Sequence, residues 1–138
     1  MEVLGVDHVA IAVKDLDRAV ETFKEVLGSP PVRVEEVPEE GVRIAMFKVG
    51  GTYIELLEGT SPSSAVARFI ERRGEGIHHI ALRVRDVDEA SRELSKRGFR
   101  VIYERPREVS AGDRRLNFIH PKSVHGVLLE IVERVREV

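Results

Sequence analysis

Cysteine is absent from this chain of 138 residues, which excludes disulfides, thiolate metal sites and cysteine nucleophiles together. Tryptophan is also absent, and methionine and tyrosine occur twice each. No apolar run approaches the length of about twenty residues needed to cross a bilayer, and no apolar leader opens the chain, so the expectation is a cytoplasmic protein that does not enter a membrane. A net charge of −2 supplies no basic excess for a nucleic-acid partner. With those classes set aside, 42% hydrophobic and 33% charged residues describe one ordinary globular domain large enough to fold without staples. Any metal must then be held by His, Asp, Glu or neutral oxygen.

What the chain does contain is a repeat. Asp7 to Ala19 reads DHVAIAVKDLDRA, and HHIALRVRDVDEA follows from His78 to Ala90, with His79 standing where His8 stands. In each copy an alternating strand leads to an aspartate, Asp15 or Asp86, placed to cap a helix that ends at Gly28 or Gly98. The first helix carries Leu16, Ala19, Val20, Phe23, Val26 and Leu27 at helical spacing. Three runs, VRVEEV, VRIAMFKV and YIELLE, then read as strands divided by Pro and Gly. Their counterparts are RVIYE, RLNFI and GVLLEIVE. Between the halves, SPSSAVARFIERRGEG predicts a helix capped by Ser63 or Ser64.

The expected fold is therefore α+β. One domain, 1–138, holds a βαβββ module over about 1–60, a linking helix over about 61–75 and a second βαβββ module over about 76–138, paired as an open eight-stranded barrel-like sheet.

The polar members of the repeat carry the functional expectation. His8 and His79 lie 71 residues apart and Glu55 and Glu130 lie 75 apart. Strand alternation sets His8 on a face with Ala10 and Ala12, and His79 on a face with Ala81, so small residues leave room beside each imidazole. Glu55 and Glu130 sit in strands apolar on both sides, where packing alone gives no reason to keep a carboxylate twice. Two imidazoles and two carboxylates make a hard-to-borderline donor set suited to a divalent metal ion with positions left for substrate. His8, Glu55, His79 and Glu130 are thus the predicted ligands. Other polar residues rank lower: His78 faces away from His79 and packs or caps, His120 sits in a turn, Arg83 and Lys122 read as surface charge, and RVREV reads as a solvated tail.

The strings DHVAIAVKDLDRAV, ELLEGTSPSSAVARFIERRGEGIHHIALRV and FIHPKSVHGVLLEIVE resemble, in order and spacing, those of the methylmalonyl-CoA epimerase family within the vicinal-oxygen-chelate superfamily. The resemblance implies that His8, His79 and Glu130 bind metal, that Glu55 fills the fourth ligand position, and that the activity is interconversion of (2R)- and (2S)-methylmalonyl-CoA. It also implies an acyl-CoA substrate, a homodimer, and one divalent ion, with Co2+ favoured over Mn2+, Ni2+ or Zn2+. One departure stands out: Ile44 occupies a position where some members carry a glutamate proposed as a base. Glu130 and Glu55 are then the expected acid/base pair, with His120 the next candidate. Arg83, Arg114, Arg115 and Lys122 are available for CoA phosphates without a ranking. The alternatives are a glyoxalase I-like lyase and a non-catalytic small-molecule-binding protein on the same scaffold.

Overall fold

The computed structural model describes residues 1–110 and 112–135. Its elements are β1 (Val3–Ala12), α1 (Leu16–Leu27), β2 (Arg33–Val37), β3 (Val42–Val49), β4 (Thr52–Gly59), α2 (Ala65–Arg73), β5 (Gly76–Val84), α3 (Val87–Lys96), β6 (Arg107–Val109), β7 (Arg114–Ile119) and β8 (Leu129–Arg134). The order is the βαβββ series written twice with a helix between, as the repeat predicts. Among the described residues no helix is long and apolar enough to cross a membrane. Two compact units divide the described residues, one formed by residues 8–78 and the other by residues 1–7 together with 79–135.

In the unit of residues 8–78 the strand order is β2-β3-β4-β1. Asp15 caps α1 by accepting the Arg18 N–H at 3.2 Å, and Gly28 ends it in the left-handed region at φ 74°, a conformation that costs glycine little. One face of the strands packs Ala45, Phe47 and Leu56 against Leu16 and Val13, with Ala19, Val20, Phe23 and Leu27 closing over them. Val26, expected on that face, is instead 73% exposed. Ser64 caps α2, accepting from Ala67 N–H at 3.1 Å.

Gly59 is where β4 passes beneath that cap. A Cβ there would lie 2.2 Å from Ser64 Oγ and 3.1 Å from the Ala67 backbone nitrogen. Gly59→Ala is therefore expected to cost about 1–3 kcal/mol by forcing the cap and strand apart, read as a lower urea midpoint with an unchanged m value.

In the other unit the order is β5-β8-β7-β6. Asp86 caps α3 through the Glu89 N–H at 3.0 Å, and Val84, Val87, Ala90, Leu94, Ile119 and Ile131 form the core. Here two sequence expectations are corrected. RVIYE is not a strand: β6 lies later, at Arg107–Val109, and Val101 makes only an isolated bridge to Ile119. The cause is Asn117, whose buried side chain accepts the Tyr103 N–H at 3.0 Å and donates to the Tyr103 carbonyl at 3.0 Å, taking the place of ladder bonds. RVREV is not a solvated tail throughout. The Arg134 side chain is only 3% exposed and bonds Asp7, while the last three residues of that run lie outside the described residues.

A polar brace is repeated along with the fold. Glu58 on β4 accepts the Leu16 N–H at 2.9 Å, and Glu133 on β8 accepts the Val87 N–H at 2.9 Å. Each caps the first turn of its module's helix from the strand side, where an acid meets the positive end of the helix dipole. Arg43 lies across the ladder from Glu58, 3.6 Å from it and 3.7 Å from Asp17. Arg115 lies across from Glu133 and grips Asp88 with two nitrogens. Those hydrogen bonds hold the Asp88 carboxyl below its ordinary range despite some desolvation.

Candidate metal centre

The register of each module determines which side chains meet. In the unit of residues 8–78, parallel pairing of β1 with β4 sets Ala10 beside Glu55, and antiparallel pairing of β3 with β4 sets Met46 on the other side. The other unit repeats this arrangement: Ala81 stands beside Glu130, and Phe118 flanks it from β7. Because the alanines fill no space, the histidine two residues earlier reaches the carboxylate. His8 Nδ1 lies 3.4 Å from Glu55 Oε2, and His79 Nε2 lies 3.1 Å from Glu130 Oε1. All four side chains are buried, at 1% to 7% exposure. Phe118 closes the second pair, its ring edge-on to His79 at 5.7 Å.

Each unit thus brings together its own predicted histidine and glutamate. Taking a carboxylate out of water costs several kcal/mol without a compensating charge, and imidazole nitrogen with carboxylate oxygen is a donor chemistry that fits a divalent ion. The residues present fit the metal the sequence implies.

The lesser candidates find other places. His78 packs edge-on against Phe69 at 4.9 Å, in keeping with a packing role. His120 Nδ1 accepts the Lys122 N–H at 3.0 Å and so caps the short turn at Pro121–Ser123. Partial desolvation, with Arg100 and Lys122 nearby, lowers its pKa and favours the neutral acceptor the cap requires.

Arg83 is not surface charge, since its Nε donates to Asp7 at 2.8 Å. Arg114 is buried and donates to Ser110 Oγ at 3.1 Å, and Arg115 belongs to the brace, which leaves these three poorly placed to receive phosphate.

Ile44 is buried at 2% exposure, with Leu57 on one side of it in the ladder and Glu35 on the other. Glu35, ion-paired with Arg33 at 2.8 Å, is a carboxylate on that face which the sequence reading passed over. Its signal is visible only once the β2–β3 register is known.

Residues 7–118 match the family model described as Glyoxalase/Bleomycin resistance protein/Dioxygenase superfamily, and the chain belongs to that superfamily. Within it, the similarity is to methylmalonyl-CoA epimerases. The Mycobacterium tuberculosis enzyme of that name superposes with a TM-score of 0.91 at 42% identity, over 97% of this chain and 90% of that one. A variant of the Streptomyces coelicolor methylmalonyl-CoA epimerase, in complex with 2-nitronate-propionyl-CoA, gives 0.92 at 40% identity over 97% and 96%. Among curated proteins, the ethylmalonyl-CoA/methylmalonyl-CoA epimerase of Cereibacter sphaeroides is 34% identical over 91% of this chain and 94% of its own length.

Proposed function

We propose that this chain is a metal-dependent epimerase that interconverts (2R)- and (2S)-methylmalonyl-CoA. The observation that carries the reading is the twice-written buried His–Glu pair. Its relatives' names and the complexes with acyl-CoA compounds support the choice of substrate.

In this reading His8, His79 and Glu130 each offer one donor atom and Glu55 completes the ligand set for one divalent ion, Co2+ foremost. When bound, the ion supplies Lewis-acid stabilisation to the thioester oxygen as the α-proton leaves. The chain's own residues do the rest. Glu55 and Glu130, related by the repeat, are the acid/base pair: one carboxylate takes the α-proton and the other returns a proton to the opposite face, as inversion of a stereocentre requires. His8 and His79 fix the carboxylates they touch. Ala10 and Ala81 leave space beside those carboxylates, and Phe118 keeps water from the second pair. In the same reading the protein works as a homodimer in the cytoplasm, and Val3, Leu4 and Val6, each more than 40% exposed on β1, offer apolar surface for a second copy.

Proton NMR of methylmalonyl-CoA in D2O tests the proposal. Loss of the α-proton signal from either epimer, abolished by a chelator and restored by Co2+, is expected. Retention of that proton alongside turnover of a glutathione hemithioacetal would instead identify a glyoxalase I-like lyase.

A further inference from the structure

A line of stacked side chains leads outward from His79, all within one unit. Phe118 meets the His79 ring edge-on at 5.7 Å, Tyr103 meets Phe118 edge-on at 5.9 Å, and the Arg107 guanidinium lies over the Tyr103 ring at 3.9 Å. Exposure rises along it: His79 is buried, Phe118 and Tyr103 are half-buried, and Arg107 is exposed.

The local backbone explains why the line exists. Asn117 anchors the Tyr103 peptide on both sides, so the segment that fails to become a strand instead holds an aromatic ring beside β7. Pro106 then turns the chain into β6, which begins at Arg107. A cation stacked on an aromatic face is held in place while its N–H edge stays available. Neither Arg107 nor Arg105 forms an ion pair among the described residues. Tyr103 also lines a cleft of about 610 Å3 in which Arg92, Lys96 and Arg105 stand with Asp88 and Glu104, so the line reaches the surface beside a cleft of mixed charge, with Arg107 outside its lining.

We propose that Phe118, Tyr103 and Arg107 form the wall along which the carrier arm of an acyl-CoA lies, with Arg107 receiving a phosphate of its nucleotide end. The inference rests on the acyl-CoA reading above and supplies the nucleotide-side residue that reading lacks. The two aromatic rings suit the uncharged pantetheine arm. A planar guanidinium suits phosphate oxygens, which it can bind through two parallel N–H bonds.

Two thioesters discriminate: methylmalonyl-CoA, and methylmalonyl-pantetheine, which lacks the phosphates. For Arg107→Ala the ratio of the pantetheine-ester KM to the CoA-ester KM is expected to drop roughly ten-fold, the loss of one charge-assisted contact. The ratio for Tyr103→Leu should drop as well, since the platform that positions the guanidinium is gone, and Tyr103→Phe should restore it. An unchanged ratio in Arg107→Ala, or a Tyr103→Leu effect that Tyr103→Phe does not rescue, overturns the assignment. Calorimetric titration of free CoA, which needs no turnover, separates this inference from the functional one. If wild-type protein binds CoA more tightly than Arg107→Ala yet exchanges no α-proton, the phosphate contact stands and the epimerase reading falls. Equal CoA binding by both proteins, with wild-type exchange intact, removes the contact and leaves the epimerase.

Discussion

Glu130→Gln is expected to slow α-proton exchange from methylmalonyl-CoA by about 10²- to 10⁴-fold, the range for a positioned general base. Glutamine matches glutamate in volume, and its amide oxygen can still sit 3.1 Å from His79 Nε2, so the core around Ile131 and Val132 has no reason to change. What is lost is the negative charge, and with it both proton affinity and most of the donor strength toward a cation. Glu55→Gln tests the partner. If the two carboxylates serve opposite faces, this variant should retain its ion, as judged by metal content after dialysis, and lose exchange from one epimer selectively. Exchange from both epimers at the wild-type rate with the ion retained would eliminate Glu55 as a base. Parallel loss of ion and exchange would make it a ligand only.

The second large effect is on stability. Asp7 is fully buried, and its carboxylate accepts Arg83 Nε, Arg134 Nε and Arg134 Nη2, each at 2.8 Å. Arg134 is itself nearly inaccessible, at 3% side-chain exposure. Asp7→Asn leaves buried cationic groups without the carboxylate they face, a change that costs about 3–5 kcal/mol when one partner of a buried ion pair is removed. A fall in unfolding free energy of that size, against a total stability of about 5–15 kcal/mol, should be plain as a lower urea midpoint in equilibrium unfolding. Asp7→Leu combined with Arg134→Leu is expected to recover part of the loss, because the desolvation cost of the two least accessible charges disappears with them, while Arg83, at 22% side-chain exposure, can turn toward water. A loss below about 1 kcal/mol in Asp7→Asn would contradict the account.

The sequence announces what is local and repeated. Asp15, Gly28, Asp86 and Ser64 mark helix ends because capping acts over three residues, and each is found in its predicted place. His8 with Glu55 and His79 with Glu130 were legible because strand alternation and duplication agree on them. Long-range side-chain bonding was not legible. Asn117 displaces a strand from 14 residues away, and Asp7 meets Arg83 and Arg134 across 76 and 127 residues. Duplication also proved a broader signal than a site. Asp17, Arg43 and Glu58 are repeated as Asp88, Arg115 and Glu133, yet they brace helices. Parity tells the two kinds apart. Glu58 and Glu133 come three residues after Glu55 and Glu130, an odd step that turns them to the helix side of the strand.

The repeated brace bears on how the halves could diverge. In both modules the hairpin between the last two strands is fixed near its ends, by Arg43 opposite Glu58 and by Arg115 opposite Glu133. The tip is then free to change length. In the first module it is the Gly50–Gly51 turn, and in the second it has grown into residues 120–128, with His120, Lys122 and His125 on it. Since doubling a loop adds only about 0.6 kcal/mol of closure entropy, such lengthening is cheap while the module's anchor holds, and one copy of the repeat can acquire chemistry its twin never had.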